Sequence, residues 1–171
     1  MIVVILRPFV DKQTILDFAK RYPELDIGAL ETCLAFLHTT ADVYQAIDVH
    51  FARYGLSKGK FTLLMQLFLA DEKGLTPSEC AERGGVTKAT ITGLLDGLER
   101  DGLVKRFPDS EDRRMLRLQL TEQGRDLLSQ MLPDHFCRTT NLMANLTDNE
   151  KKTLIKLLNK VRAGTSAMLD P

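Results

Sequence analysis

The residues best suited to contact chemistry lie in the run TKATITG, Thr87 to Gly93. Thr87 and Lys88 stand at a helix start, where free backbone N–H groups and the helix dipole favour an anion such as a phosphate. Ala89 and Gly93 fall on one face at about 100° per residue, Asp96 and Arg100 continue it, and Thr90 and Thr92 set hydroxyls beside it. A merely solvated face would carry Glu, Lys and Gln. Small and hydroxylated side chains instead let a helix approach another surface closely, and a B-DNA major groove admits one helix with little to spare. The plainer alternative is an internal helix whose second face meets another helix.

A basic cluster follows. LVKRF (Leu103 to Phe107) and MLRLQL (Met115 to Leu120) alternate apolar and polar residues as half-buried strands do. PDSEDRR joins them, so Lys105, Arg106, Arg113, Arg114 and Arg117 sit on one ribbon against Asp109, Glu111 and Asp112. Lys105 and Arg113 are candidate phosphate contacts. An arginine at a ribbon tip suits a narrow minor groove, where the negative potential is enhanced.

The elements that position these residues are legible around them. TPSE (Thr76 to Glu79) is a helix start, with Thr76 capping, Pro77 in the first turn and Glu79 closing a capping box. Gly84-Gly85 ends that short helix, since glycine takes the left-handed cap geometry without steric cost. A second helix runs from Thr87 to Gly102, with Ile91, Leu94, Leu95 and Leu98 as its core stripe. Helix, tight turn, helix and basic ribbon make a winged helix. The expected fold is therefore mainly α with a small β wing.

At these residues the chain resembles the MarR family of bacterial winged helix-turn-helix transcriptional regulators. The match is VTKATITGLLDGLERDGLVKRFPDSEDRRMLRLQLTEQG, Val86 to Gly124, with weaker similarity in helix pattern from about Leu30 to the C-terminus. Glu111 departs from it, since many wings of this kind carry arginine there, and one phosphate contact per wing is removed. The resemblance implies that Arg114 enters the minor groove while Asp112 orients it. It also implies an effector pocket between dimer helices and reading head, with Phe36, His38, Thr39, Phe61, Met65 and Phe136 as candidate lining. Core packing is the alternative for each. Peroxide-sensing members carry a reactive cysteine near Cys33, which suggests a redox switch. Those sensors flank the thiol with tyrosines, whereas Ile47 and Lys58 stand here, so Cys33 is expected as an inert core residue. Cys80 and Cys137 are expected as small core residues.

The whole composition allows this reading without demanding it. The 171 residues are 44% hydrophobic, enough for a real core, and 23 Lys and Arg balance 23 Asp and Glu. A protein that docks DNA through one surface needs only that surface positive. Three cysteines without a C-x-x-C fit free thiols in a reducing compartment. The apolar run Ile2 to Leu6 is too short to cross a bilayer, no cleavage site follows it, and a cytoplasmic protein is expected. No phosphate-cradling glycine loop, H-E-x-x-H or G-x-S-x-G occurs, so neither enzyme nor cofactor is expected. His38 and His50 lie about 18 Å apart along one helix and cannot share a metal within one subunit.

Long helices bracket the reading head. Residues 1–28 form an N-terminal extension, read as a possible dimer arm with a helix over Asp11 to Tyr22. Residues 29–56 and 121–171 supply dimerisation helices around a winged-helix domain at 57–120. Ile27 to Tyr54 is apolar on more than one face, as at an interface. Pro133 is expected to bend but not end the helix after Thr121, and TDNE (Thr147 to Glu150) opens the last one. One recognition helix reads few base pairs, so specificity asks for two heads on a two-fold axis. The expected protein is a homodimeric regulator, most simply a repressor released by a small-molecule effector or a modification, on a palindromic site in double-stranded DNA. The competing reading is a winged-helix protein-interaction module without sequence-specific DNA binding, which Glu111, Asp96 and the neutral net charge would suit.

Overall fold

A computed structural model describes residues 12–70, 73–109 and 115–169. The strand expected near Ile2 to Leu6, and the wing tip with Glu111, Asp112, Arg113 and Arg114, lie outside the described residues. The helices are α1 (Lys12–Arg21), α2 (Ile27–Ala52), α3 (Lys58–Phe68), α4 (Pro77–Gly84) and α5 (Lys88–Arg100). Strands β1 (Val104–Pro108) and β2 (Leu116–Leu120) follow, then α6 (Glu122–Leu142), α7 (Asp148–Ala163) and a 3-10 turn at Thr165–Met168.

The caps fall where hydroxyls and carboxylates were placed by the sequence. Thr76 accepts from the Glu79 N–H while the Glu79 carboxylate accepts from the Thr76 N–H at 2.6 Å, and Thr147 and Glu150 repeat the arrangement. The Glu79 and Glu150 carboxyls are held below their ordinary pKa chiefly by those backbone hydrogen bonds. Gly85, at φ 60°, turns the chain from α4 into α5, and Gly102, at φ 71°, turns it from α5 towards β1. Helix α6 runs through Pro133 unbroken.

The core belongs to the winged helix. Leu63, Leu64 and Leu67 of α3, Cys80 of α4, Ile91, Leu95 and Leu98 of α5, Val104, Leu118 and Leu120 of the ribbon and Leu128 and Met131 of α6 form one buried cluster. The ribbon is antiparallel, pairing Val104 with Leu120 and Arg106 with Leu118, and Leu75 adds a bridge to Leu118. Burying these side chains stabilises the module by roughly 1.5–3 kcal/mol each.

Outside that cluster the protomer covers little. In α2 only His50 and Phe51 are buried, and α7 has no buried residue. Cys33 and Cys137 are exposed, which corrects the expectation of core cysteines. Cys33 lines an open groove with Phe18 and Tyr22 of α1, and Cys137 lies on an exposed face of α6. Cys80 is fully buried as expected, and burial pushes its thiol up to about 11, so it stays protonated and inert.

Candidate nucleic-acid interface

Helix α5 is anchored by its apolar stripe and open on the other side. Ile91 and Leu95 are 2% exposed and Leu98 is wholly buried, while Lys88, Ala89, Thr90, Thr92 and Gly93 are exposed. Thr87 is the N-cap, its hydroxyl accepting from the Thr90 N–H at 3.1 Å and lying 2.9 Å from the Thr90 hydroxyl. The Thr92 hydroxyl donates to the Lys88 carbonyl. A side chain built at Gly93 would meet nothing within 4 Å. Internal packing gives no reason for glycine there, and close approach from outside does. The helix is therefore not the doubly packed internal one that the sequence left open.

Cations of the ribbon divide by strand face. Lys105 is exposed, on the strand face opposite Arg106. Arg106 turns inward and pairs with Asp96 and Glu99 of α5. Arg117 is half-buried, pairing with the buried Asp109 and donating to the Gly74 carbonyl at 3.2 Å. Two of the five ribbon cations thus hold the ribbon in place. Alternation alone could have shown this for Arg106, which shares a strand face with buried Val104.

The residues considered for an effector pocket do not converge as a set. Phe61 stacks on Phe51 at 4.4 Å and lies 5.1 Å from His135, which in turn lies 6.1 Å from Phe136. Met65 packs against the core. Phe36 and Thr39 are exposed and His38 is half-buried, with Thr39 about 18 Å up α2 from Phe51. A separate groove of about 530 Å³ between α2 and α6 is lined by residues including Ile47, His50, Arg53, His135, Arg138 and Leu142. His50 is 5% exposed with neither ring nitrogen hydrogen-bonded, and its ring stacks on His135 at 5.3 Å. Burial lowers its pKa, against the pull of Asp134 at 3.8 Å. Asp134 accepts from Arg138 at 2.9 Å and from Tyr54 at 3.2 Å, and the Arg138 hydrogen bond chiefly holds its carboxyl low. The sequence reading missed this cluster, whose members lie far apart in the chain. Among the described residues no group of His, Cys, Asp and Glu could hold a metal ion.

Residues 56–116 match the MarR family. Over 156 residues the chain is 42% identical to the HTH-type transcriptional repressor YetL of Bacillus subtilis (strain 168), covering 91% of this chain and 93% of that protein. The chain belongs to the MarR family. Winged-helix regulators of that family share its architecture. The MepR–DNA complex of Staphylococcus aureus matches with a TM-score of 0.67 at 22% identity, over 78% of this chain and 95% of that one. CouR from Rhodococcus jostii RHA1, bound to p-coumaroyl-CoA, matches with a TM-score of 0.64 at 22% identity, over 76% and 90%. As in other MarR-family regulators, helix-turn-helix and ribbon are one unit here, carried between long helices. No described helix is long and apolar enough to cross a membrane.

Proposed function

We infer that this MarR-family protein is a dimeric repressor that reads a palindromic operator through α5 and is released by a small molecule. The open small-residue face of α5, with empty space beyond Gly93, carries this reading. Thr87 and Lys88 bind a phosphate at the helix start, Ala89, Thr90, Thr92 and Gly93 meet base edges, and Lys105 clamps the backbone beside them. Arg113 adds a phosphate contact at the wing tip, and Arg114, oriented by Asp112, enters the minor groove. The name of YetL, a repressor, supports the direction of control.

Residues 29–56 and 121–171 form the two-fold interface, residues 1–28 extend it as a dimer arm, and residues 57–120 are the reading domain. Charge supports the pairing. Glu24, Asp26, Glu31, Asp42 and Asp48 occur in a stretch without Lys or Arg, whereas α7 carries Lys151, Lys152, Lys156, Lys160 and Arg162. Leu154, Ile155, Leu157, Leu158 and Val161 of α7 are all exposed in the protomer, and an isolated helix of that length is marginal in water.

The effector occupies the groove between α2 and α6. Its apolar walls, the unsatisfied His50 ring and the guanidinium groups of Arg53 and Arg138 suit a small amphipathic anion. Selection of bound sequences from random duplex DNA tests the reading. The expected product is an inverted repeat with half-sites about 10 base pairs apart, one helical turn. Recovery of unrelated sequences would reject operator reading.

A further inference from the structure

Asp96 continues the face of α5 that Ala89 and Gly93 begin, and its side chain is 53% exposed. A carboxylate on that face repels a phosphate backbone. Arg106 answers it from β1. Its Nη2 donates to Asp96 Oδ1, and its Nε lies 3.3 Å from Glu99 Oε2, so one guanidinium spans two carboxylates a helical turn apart. Further out along the ribbon, on its other face, Arg117 fastens it through Asp109 and the Gly74 carbonyl. Helix α5 is fixed from its far side too. Lys60 of α3 reaches Asp101 at 2.5 Å, crossing over Gly97, where an added Cβ would lie 3.0 Å from Lys60 Cε.

We propose that Arg106 is a positioning residue for sequence reading: by bridging Asp96 and Glu99 it fixes the angle between the ribbon and α5, and so decides which flanking base pair the wing meets. This rests on the DNA-reading function proposed above and adds to it the device that sets register between the two readers. The geometry is sensitive. A five-residue strand is about 17 Å long, and neighbouring base pairs are about 3.4 Å apart. A change of roughly 10° in the angle between strand and helix therefore displaces one end of the strand against the other by about 3 Å, close to one base-pair step. A planar guanidinium that donates to Asp96, with Glu99 beside it as a second anion, is held in one orientation, which a lysine ammonium on a flexible stem is not. Lys105, on the opposite strand face, has no such role and contributes only charge.

The test compares wild type, Arg106→Gln, Arg106→Lys, the double variant Asp96→Asn/Glu99→Gln, and Lys105→Ala. Each is titrated against duplexes that keep the half-sites constant and vary the flanks, with a melting curve for each protein. Wild-type protein without any sequence preference would overturn the DNA-reading function itself, and this inference with it. Given wild-type reading, Arg106→Gln is expected to lose about tenfold of flank discrimination, the scale of one base-pair contact, while half-site discrimination stays. Arg106→Lys should not restore it. The double variant should flatten flank preference equally, although removing two negative charges would on charge alone tighten binding. That variant leaves Arg106 in place and carries the test if Arg106→Gln melts early. The opposing result is a uniform loss for Arg106→Gln with flank preference intact and a salt slope reduced by about 0.9, as expected for Lys105→Ala. Arg106 would then be one more phosphate clamp, and the proposal would be wrong. Flank preference retained in the double variant would refute it equally.

Discussion

The winged-helix module and the terminal helices are built on opposite terms. In the module, α3, α4, α5 and the ribbon bury Leu63, Leu64, Leu95, Leu98 and Leu118 to 2% exposure or less within a single chain. In α7 the corresponding leucines, Leu154, Leu157 and Leu158, are 36–52% exposed, and the first half of α2 is as open. Both regions are amphipathic helices of ordinary composition, so the difference is one of partners and not of sequence quality. One region closes its core within the chain, and the other leaves its apolar face uncovered in the protomer, as the proposed two-fold interface requires. A reader of DNA gains from this division, since the head keeps its shape while the spacing between heads is set elsewhere.

The largest effect should come from breaking the open half. Replacing Leu154 and Leu158 by Glu removes about 1.5–3 kcal/mol of burial per leucine on each side of a two-fold interface. Dimerisation should weaken by at least a thousandfold, with the winged-helix core still folded by melting and near-ultraviolet dichroism. Persistence of a dimer would move the interface away from α7. Gly93 tests the closed half. Gly93→Ala should raise stability by about 0.5–1 kcal/mol, because the site is helical, exposed and empty around the added methyl, yet DNA affinity should fall. Gly93→Glu should cost about a hundredfold in affinity, the upper end of a single base-pair contact. Rising stability with falling affinity is the signature sought; unchanged affinity in both would take α5 out of the groove.

A smaller effect concerns the seam between the two regions. Burial lowers the His50 pKa, so the folded protein binds its proton less readily than the unfolded chain. The sign follows from linkage: the contribution is present above the unfolded value of about 6.5 and is lost as pH falls from there through the lowered folded value. Stability should therefore decline on acidification in that window. His50→Gln should flatten the decline, leaving the losses at lower pH from Asp134, Glu79 and Glu150, whose carboxyls are all held low. A decline unchanged in His50→Gln would assign it to another group.

The reading head was legible in the sequence because its determinants are local. Thr76, Glu79, Gly85, Thr87 and Gly102 act on the backbone within a turn of themselves, and Ile91, Leu95 and Leu98 set the helix face by spacing alone. The role of Arg106 cannot be read along the chain, since its partners Asp96 and Glu99 come from another element. The His50–His135–Asp134 cluster was invisible for the same reason, with about eighty residues between its halves. An apolar neighbourhood suggests a core position for Cys33, but an apolar helix face is buried only when something covers it, and both Cys33 and Cys137 are exposed. Local chemistry can be read along a chain; pairing across elements requires the fold.

A reading head complete in one chain is expected to be specific only in two. Sedimentation velocity of the intact protein, alone and with the duplex recovered by selection, measures this directly. The expected result is a dimer at micromolar concentration and two protomers on each inverted-repeat duplex, with half-site duplexes bound far more weakly. A monomer that binds single half-sites as tightly as the full repeat would contradict it.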